Sequence, residues 1–463
     1  MLIVNADLHG KRADVRFGAK IAEIQPKIHP RPGEQVVDAR GGCLLPGLHD
    51  HHMHFLASAA WANSINCGDA HVTNAKTLGQ LLRSQPGSGW LRGVNYHEST
   101  AGELFCSGLD QLIDDRPVRI QHRSGKVWML NSVAVEQLEL HEYAGLDGVE
   151  VDTHGKVTGR LFRLDGWLRQ RLASDISTDV RELSQQLSRF GITGFTDTSA
   201  TNSLQTQKQF AQWQRDGMLQ QNVLLMGDDS LPAGPLKVIL DEDALPTLSD
   251  LVARLHRARA SGRSLAFHCV THVELLFALS ALAEVEPDSK DRIEHGAIVH
   301  DQVLPLLKER SVSVVTQPGF LWQRGDQYLR DLPASDVAVL YRHRALLEAG
   351  INAVVSSDAP YGPLNPWLVM AAADRRVTRT GHIIGEAETV PPQQSLCGYL
   401  LHKHDLHEPM RQVSIDADAD LCVLTKPWSE VKNNIAQTQV RATICAGQMV
   451  YFEKNSQRRQ TLL

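Results

Sequence analysis

Short apolar runs alternate with longer amphipathic segments from about Leu44 to about Val355. The apolar runs predict strands at Cys43–Leu45, Val118–His122, Ile192–Thr196, Leu236–Leu240, Leu265–Cys269, Arg292–Glu294, Val312–Thr316 and Ala353–Ser356. Between most of them, apolar residues recur at intervals of three and four, which predicts helices at Asp179–Phe190, Asp250–Ala260, Val273–Glu284, Gln302–Arg310 and Val337–Ala349. Eight strands with intervening helices are typical of an α/β fold, either a parallel barrel or a doubly wound open sheet.

The two ends of the chain have a different pattern. Residues Met1–Gly41 and Ala417–Phe452 contain short alternating strands separated by turn residues, without a helical period. Neither end alone is large enough for a stable core. We therefore expect the two ends to fold together into one small β-sandwich, with two independent extensions as the alternative.

Composition narrows the class of protein. The chain has 463 residues, of which 42% are hydrophobic and 22% charged, so it is long enough to bury a large core. Its net charge of −6 and the lack of a basic run argue against nucleic acid or an anionic membrane surface as a partner. The seven scattered cysteines include no Cys-x-x-Cys pair, which predicts reduced thiols in a cytoplasmic protein. The pattern predicts neither a secretion signal nor a membrane span.

A His-x-His pair, His52 and His54, follows an apolar run that ends in Pro46-Gly47-Leu48. Side chains two positions apart in an extended strand point to the same face, so both imidazoles can reach one metal ion. Neutral imidazole is the commonest protein ligand of divalent metals, and Asp50 is placed to orient the pair. A solvated histidine-rich loop is the alternative that the spacing alone leaves open.

Three other predicted strands contain, near their ends, or are followed by residues that can bind a metal or move a proton. These residues are His268, His295 and Asp358. In a parallel barrel the C-terminal ends of all strands meet at one mouth, where the active site lies. Each residue by itself has a structural explanation, as a core histidine, a cap partner or the N-cap of the next helix. Their occurrence together with His52 and His54 predicts a shared metal site.

The order of these residues resembles that of the amidohydrolase superfamily of metal-dependent hydrolases. Within it, the chain resembles the YtcJ-like branch, amidohydrolase family 3, almost from end to end. Short motifs of this chain that are similar to motifs of that family are Pro117-Val118, Asn131-Ser132, Gly191-Ile192-Thr193, Arg292-Ile293-Glu294-His295, Gln317-Pro318, Ser357-Asp358-Ala359-Pro360 and Ala417–Leu424. The resemblance implies a (β/α)8 TIM-type barrel at residues 49–409, with a small β-sandwich formed by residues 1–48 together with 410–456.

The resemblance also implies a metal centre at the barrel mouth. Its ligands would be His52, His54, Lys237, His268, His295 and Asp358. The His-x-His pair would bind one metal with the aspartate, and the other two histidines would bind a second metal or complete a one-metal site. Many relatives bridge two metals with a carboxylated lysine, and Lys237 lies at the corresponding position of this sequence. A surface lysine at a strand edge is the alternative, because carboxylation requires a desolvated, deprotonated amine.

This ligand set favours zinc, with one or two ions per chain. Zinc lowers the pKa of bound water from ~15.7 to about 7 and polarises a substrate carbonyl. Asp358 would accept the proton of that water as hydroxide attacks, and would then pass it to the departing nitrogen. The predicted function is hydrolysis of a non-peptide C–N bond in a small-molecule amide or cyclic amide. Relatives of this size commonly form interfaces, so the resemblance implies a homodimer.

Two departures from the family pattern fall where substrate is expected. Relatives usually have Gly-His where this chain has Gly125-Lys126, and Gly-Asp shortly after the fifth-strand histidine, where it has Cys269–His272. Side chains predicted to bind a polar or anionic substrate group are Tyr96, His97, His122, Lys126 and His272. The alternatives are a solvated face for Lys126 and packing of the rim for Tyr96 and His97.

Other functions share parts of this pattern. A deaminase of a ring C–N bond generally has a glutamate three residues after the fifth-strand histidine, and Thr271 occupies that position here. This difference argues against deamination. Hydroxide generated at a metal also attacks esters and phosphoesters. A non-catalytic binding scaffold is a further alternative because fold does not determine function, although a scaffold has no need for five converging ligands.

Overall fold

The computed structural model describes residues 1–62, 64–68, 72–172 and 180–453. Two positions predicted from the sequence, the helix start at Asp179 and the sandwich segment 454–456, lie outside these residues. The chain divides into two compact units. The larger unit combines Met1–Phe55 with Val180–Leu463, and the smaller unit comprises Leu56–Asp179.

The strands are β1 Leu2–Leu8, β2 Lys11–Phe17, β3 Ile21–Gln25, β4 Val36–Asp38, β5 Leu44–Pro46, β6 Leu48–Met53, β7 Ile65–Asn66, β8 Leu91–Tyr96, β9 Val118–His122, β10 Val127–Leu130, β11 Val149–Val151, β12 Val157–Phe162, β13 Ile192–Asp197, β14 Asn222–Leu225, β15 Leu236–Ile239, β16 Leu265–Cys269, β17 Arg292–His295, β18 Ser313–Thr316, β19 Ala353–Val355, β20 Leu421–Leu424, β21 Val440–Cys445 and β22 Gln448–Phe452. The α-helices are α1 Phe55–Ala62, α2 Ala75–Arg83, α3 Glu98–Ala101, α4 Cys106–Asp110, α5 Ser132–Gln137, α6 Asp165–Arg171, α7 Arg181–Arg189, α8 Leu204–Arg215, α9 Leu248–Ala260, α10 His272–Ala283, α11 Leu304–Glu309, α12 Gly319–Asp331, α13 Ala334–Val337, α14 His343–Glu348, α15 Pro366–Arg375, α16 Pro392–Tyr399 and α17 Trp428–Val431.

Two parallel sheets form the centre of the larger unit. One has three strands in the order β14-β13-β6, and the other has five strands in the order β15-β16-β17-β18-β19. Apolar side chains of β15 to β19 pack with those of α9, α10, α11 and α14 in one buried core. Helices that cover a parallel sheet make its strands continuously apolar. The predicted α/β class is confirmed.

The strands of the two parallel sheets approach each other at isolated bridges. Met53 pairs with Ala359 beyond the end of β19, and Gly227, beyond β14, pairs with Leu236 of β15. The ladders themselves remain in two sheets, so the described residues do not form one continuous closed barrel.

Two strands predicted for a parallel barrel pair elsewhere. Val118–His122 forms β9 in the sheet of the smaller unit, and Cys43–Leu45 corresponds to β5, which pairs with β20. Among the parallel strands stand β6 and β14 instead. A short apolar run has the same pattern in either sheet, and distant residues decide its partner. The predicted helix Val337–Ala349 is also interrupted, because Tyr341 has a left-handed φ of +46°.

The two ends of the chain form two further sheets of the larger unit, in the orders β3-β2-β1-β4 and β22-β21-β20-β5. Apolar side chains of both sheets, including Ile3, Val15, Val423 and Ile444, lie in one buried cluster. Side chains from both ends of the chain therefore pack in a single core.

The smaller unit contains a six-stranded sheet in the order β11-β12-β10-β9-β8-β7. β8 and β9 are parallel, and Tyr96 is paired with His122 at their C-terminal ends. Across the described parts of both units, no helix has the length and apolar character that crossing a membrane requires.

Candidate metal centre

The His-x-His pair lies at the end of β6. His52 is fully buried, and its Nε2 atom lies 3.4 Å from Oδ1 of Asp358. His54 follows the strand, and its Nε2 atom lies 3.3 Å from the same oxygen. Nδ1 of His54 lies 2.9 Å from the hydroxyl oxygen of Ser199. Both imidazoles present Nε2 to one carboxylate, as expected of side chains two positions apart along a strand.

Two residues beside this pair have left-handed backbone conformations. Asp358 follows β19 with a φ of +49°, and His295 ends β17 with a φ of +71°. This region costs a residue other than glycine about 1–3 kcal/mol, and such residues concentrate at active sites. The backbone amide of Asp358 donates to the carbonyl oxygen of His52 at 2.8 Å. This bond connects the aspartate to the strand of the His-x-His pair.

The two other predicted histidine ligands contact each other. Nδ1 of His268 lies 2.9 Å from Nε2 of His295. Nδ1 of His295 lies 2.8 Å from Oε1 of Gln317 and 3.8 Å from Oδ2 of Asp358. His52, His295 and Asp358 each offer one donor atom, and these three atoms lie within 4.8 Å of one another. These three residues form a possible site for a metal ion.

Three buried polar atoms in or near this group have no hydrogen-bond partner among the residues that the structure describes. They are Nε2 of His52, Oδ1 of Asp358 and Nζ of Lys237. A buried polar group left unsatisfied costs about 1–3 kcal/mol. A divalent cation bound to the nitrogen and the oxygen would satisfy both, so the residues present fit a metal ion.

Electrostatic contacts set the charges of these groups. Burial raises the pKa of Asp358, but the neighbouring His52, His54 and His295 outweigh burial and hold that pKa well below its usual range. Burial, reinforced by His52, lowers the pKa of His295 to about 3. At neutral pH the carboxylate is therefore ionised and the His295 imidazole neutral, and these are the protonation states that bind metals. Burial lowers the pKa of His52, but Asp358 and Glu294 outweigh burial and raise that pKa, so a metal ion competes with a proton for this ring.

Glu294 holds the ring of His52, a role that the sequence did not predict. Its buried carboxylate accepts hydrogen bonds from Nδ1 of His52 and, at 2.8 Å, from Nε of Arg292. Burial raises the pKa of Glu294, but Arg292, Lys237 and His52 hold it well below the usual value. With Nδ1 donating to Glu294, the Nε2 lone pair of His52 is free for a metal. The signal in the sequence was an acidic residue inside a buried strand, two positions after an arginine.

Lys237 lies on β15 with 2% of its surface exposed, so the alternative of a surface lysine is wrong. Burial is the largest influence on its amine and lowers the pKa, against the opposing effect of Glu294. A lowered pKa favours the deprotonated amine that carboxylation requires.

A protein-family model described as "Amidohydrolase family" matches residues 35–451 of this chain. The chain belongs to the amidohydrolase family. The resemblance to amidohydrolase family 3 is thereby confirmed, and so is the prediction that the chain is a hydrolase of carbon–nitrogen bonds.

Similarity to known proteins extends over the whole amidohydrolase chain. An N-substituted formamide deformylase of Arthrobacter pascens is 22% identical, over 98% of this chain and 99% of that protein. The crystal structure of an uncharacterized metal-dependent hydrolase from Pyrococcus horikoshii OT3 has a TM-score of 0.71 at 18% identity, covering 92% of this chain and 97% of that one. A 5-methylcytosine deaminase from Klebsiella pneumoniae has a TM-score of 0.52 at 13% identity, with 99% of each chain covered. The two structural likenesses show the fold.

Four of the side chains predicted to bind substrate lie in the smaller unit of this amidohydrolase. Tyr96 is buried, and its hydroxyl donates to a backbone carbonyl oxygen, as the packing alternative predicts. Lys126 is exposed, as a solvated face predicts. His97 and His122 both contact the carboxylate of Glu98.

The fifth predicted substrate residue, His272, lies in the larger unit at the start of α10. Its Nε2 atom lies 3.2 Å from the side-chain nitrogen of Gln302, and its ring packs edge-on against His300 with 4.7 Å between centroids. These contacts do not include the three residues of the metal-binding group. A substrate-binding role for these five side chains stays a prediction.

Proposed function

We propose that this amidohydrolase cleaves a non-peptide C–N bond of a small amide or cyclic amide at a divalent metal centre, with zinc as the metal. The observation that carries the proposal is a pair of buried atoms without hydrogen-bond partners. Nε2 of His52 and Oδ1 of Asp358 lie 3.4 Å apart, and each is a zinc ligand by type. His54, His295 and His268 supply the further imidazoles of a site for one or two ions.

Contacts behind the ligands support this assignment. The ring of His52 is oriented by Glu294, that of His54 by Ser199 and that of His295 by Gln317. Such outer contacts fix the tautomer and orientation of a metal-binding imidazole.

Asp358 is the proposed general base and acid. When bound, the ion would lower the pKa of a water molecule and polarise the substrate carbonyl. Asp358 is ionised at neutral pH, so it accepts a proton from the water whose oxygen attacks the carbonyl carbon. The protonated aspartate then gives this proton to the nitrogen as the C–N bond breaks. The products are a carboxylic acid and an amine.

Lys237 is the proposed bridge between two ions. Its buried Nζ atom has no hydrogen-bond partner, and burial lowers its pKa. Reaction of the neutral amine with carbon dioxide would form an N–C bond and release a proton, turning an unpartnered donor into an anionic ligand. Glu294 and Asp358 are nearby anions, so a carboxylated Lys237 would need a metal cation beside it to offset their repulsion. Metal binding and carboxylation would therefore stabilise each other.

We also propose that the two parallel sheets belong to one (β/α)8 barrel, with residues 49–409 as the barrel domain. The bridges Met53–Ala359 and Gly227–Leu236 support closure at both edges. In this arrangement Leu56–Asp179 is an insertion after β6. The shared core of the two terminal sheets supports a β-sandwich formed by residues 1–48 and the C-terminal segment from residue 410.

Amides are favoured over ring amines as substrates. The residue three positions after His268 is Thr271, which is the N-cap of α10. The carboxylate of Glu274 accepts the backbone N–H groups of Val270 and Thr271 at 2.6 and 3.0 Å. The acidic residue of this turn is thus engaged in helix capping and does not supply an acid for a substrate ring. N-substituted formamides are the first class to test, because the deformylase relative matches this chain over its whole length.

The test is hydrolysis of N-substituted formamides, other N-acyl amides and cyclic amides by protein purified without chelator, with the released amine measured. Asp358→Asn should reduce kcat by about 10²–10⁴-fold, with metal content measured in parallel. Asp216→Asn, at the exposed C-cap position that follows α8, is the matched control and should leave the rate unchanged. Full activity of Asp358→Asn would overturn the assignment, and release of ammonia from ring amines alone would favour a deaminase.

A further inference from the structure

A second group of metal-ligating side chains lies in the smaller unit. His97 directly follows β8, Glu98 is the next residue, and His122 ends β9. These strands are adjacent and parallel, and the residue before His97 is paired with His122. One donor atom of each side chain lies within 4.8 Å of the others. Two neighbouring strand ends therefore place two imidazoles around one carboxylate.

The contacts within this group resemble those of the first site. Nε2 of His97 lies 3.3 Å from Oε1 of Glu98, and Nε2 of His122 lies 3.1 Å from Oε2. The edge between two ligands of a tetrahedral ion with bonds near 2.0 Å is about 3.3 Å. The separation of His54 from Asp358 is also 3.3 Å. Each imidazole Nε2 therefore lies at a ligand–ligand distance from one oxygen of Glu98, and one donor atom from each of the three side chains lies within 4.8 Å of the others.

The second nitrogen of each ring has a partner of the same kind. Nδ1 of His97 lies 2.7 Å from the hydroxyl of Ser99, and Nδ1 of His122 lies 2.7 Å from the hydroxyl of Ser124. A ring that donates its Nδ1 proton to such a hydroxyl keeps the Nε2 lone pair for a metal. The backbone N–H of each serine lies 3.1 Å from the same Nδ1 and favours the opposite tautomer, with Nε2 donating to Glu98. Cation binding would select the first tautomer.

Solvent can reach the group. Side-chain exposure is 17% for His97, 21% for His122 and 54% for Glu98, so an ion can enter and water can complete its coordination. Two neutral imidazoles and one carboxylate suit a borderline divalent cation rather than calcium or magnesium, which prefer oxygen ligands.

We propose that His97, Glu98 and His122 form a further divalent-cation site of the zinc class. It uses none of the ligands of the site around His52 and Asp358. A negative result for the proposed catalytic site would therefore not count against this second site. A cation here would connect the segment after β8 to the end of β9.

The experiment uses the full chain and Co²⁺, a spectroscopic substitute for Zn²⁺, as the probe. In metal-free protein carrying His52→Ala and Asp358→Asn, Co²⁺ should bind at about one equivalent with visible d–d absorption, and Zn²⁺ should displace it. Adding Glu98→Gln or His122→Asn should remove this equivalent. Adding His141→Asn should not, although His141 of the same unit also contacts a glutamate, Glu136, at 2.9 Å.

If the double variant does not fold, the second site can be tested in protein that keeps His52 and Asp358, by measuring the number of Zn²⁺ ions bound per chain. Bound Zn²⁺ per chain, measured after equilibrium dialysis, should fall by one for His122→Asn and remain unchanged for His141→Asn. The proposal is overturned if Glu98→Gln and His122→Asn bind as much cobalt or zinc as their parent proteins.

Discussion

Replacing Glu294 by glutamine tests whether His52 is a metal ligand held in one tautomer. The carboxylate of Glu294 accepts from Nδ1 of His52 and from two nitrogens of Arg292, at 2.8 and 3.2 Å. A glutamine has one oxygen for these donors. With its oxygen toward Arg292, its NH₂ group faces Nδ1, and the His52 proton must move to Nε2. The nitrogen that should bind the metal then carries a hydrogen.

The expected loss follows from these contacts. Removing an outer-shell partner of a metal-bound histidine typically reduces metal affinity by 10–100-fold, which is about 1.4–2.7 kcal/mol. Glutamine is neutral, so in either amide orientation the buried Arg292 cation loses its anion. Breaking a buried ion pair from one side costs about 3–5 kcal/mol of folding stability. Glu294→Gln should therefore lose both zinc affinity and stability.

The assay is competition for Zn²⁺ against a chromophoric chelator, with urea unfolding of the metal-free protein alongside. Glu274→Gln is the matched control, because Glu274 is also buried but accepts from the backbone N–H groups of Val270 and Thr271. This control should lose stability and keep its zinc affinity. Wild-type zinc affinity in a folded Glu294→Gln protein would refute the tautomer argument.

Three more outcomes follow from the site and the core. Lys237→Ala should reduce the zinc content, measured by elemental analysis, by about one ion per chain; an unchanged content would exclude the bridging role. His54→Ala should lose metal and activity while its circular dichroism spectrum stays that of the wild type, because the side chain is partly exposed at the end of β6; full activity would contradict the ligand assignment. His343 is buried with Nε2 3.1 Å from the carbonyl oxygen of Ala353, and burial lowers its pKa to about 4. The unfolded chain binds this proton more tightly, so the contribution of His343 to stability, roughly 3 kcal/mol, is present above pH ~6.5 and is lost as the pH falls toward about 4. Urea unfolding at pH 7.5 and pH 5 should show less difference for His343→Gln than for wild type.

Local sequence patterns predicted which strands end in side chains able to bind a metal. His52, His268, His295 and Asp358 each lie in or just after a short apolar run, and the alternation of side chains along a strand is a local property. The spacing of His52 and His54 therefore predicted that both imidazoles point the same way. Membership of the family was predicted from short sequence motifs that include some of these residues, and a family model that covers most of the chain confirms it.

Contacts between distant residues had to come from the tertiary structure. Cys43–Leu45 and Val118–His122 are strands, as their pattern predicts. The first corresponds to β5, which pairs with β20, and the second is β9, which pairs with β8 and β10. A run of three to five apolar residues fits many sheets equally well, and the partner is chosen by packing over the whole molecule. For the same reason the pattern did not include β14 among the parallel strands.

Residue types and strand alternation are enough to predict which side chains can bind a metal and which of them share the face of one strand. Which of these side chains meet is visible only in the folded chain. The tertiary structure placed Glu294 against His52 and removed the exposed alternative for Lys237. It also placed His122 beside Glu98, 24 positions away in the chain. Side-chain chemistry and strand alternation are set by a few neighbouring residues, whereas burial and pairing depend on contacts between residues that are distant in the chain.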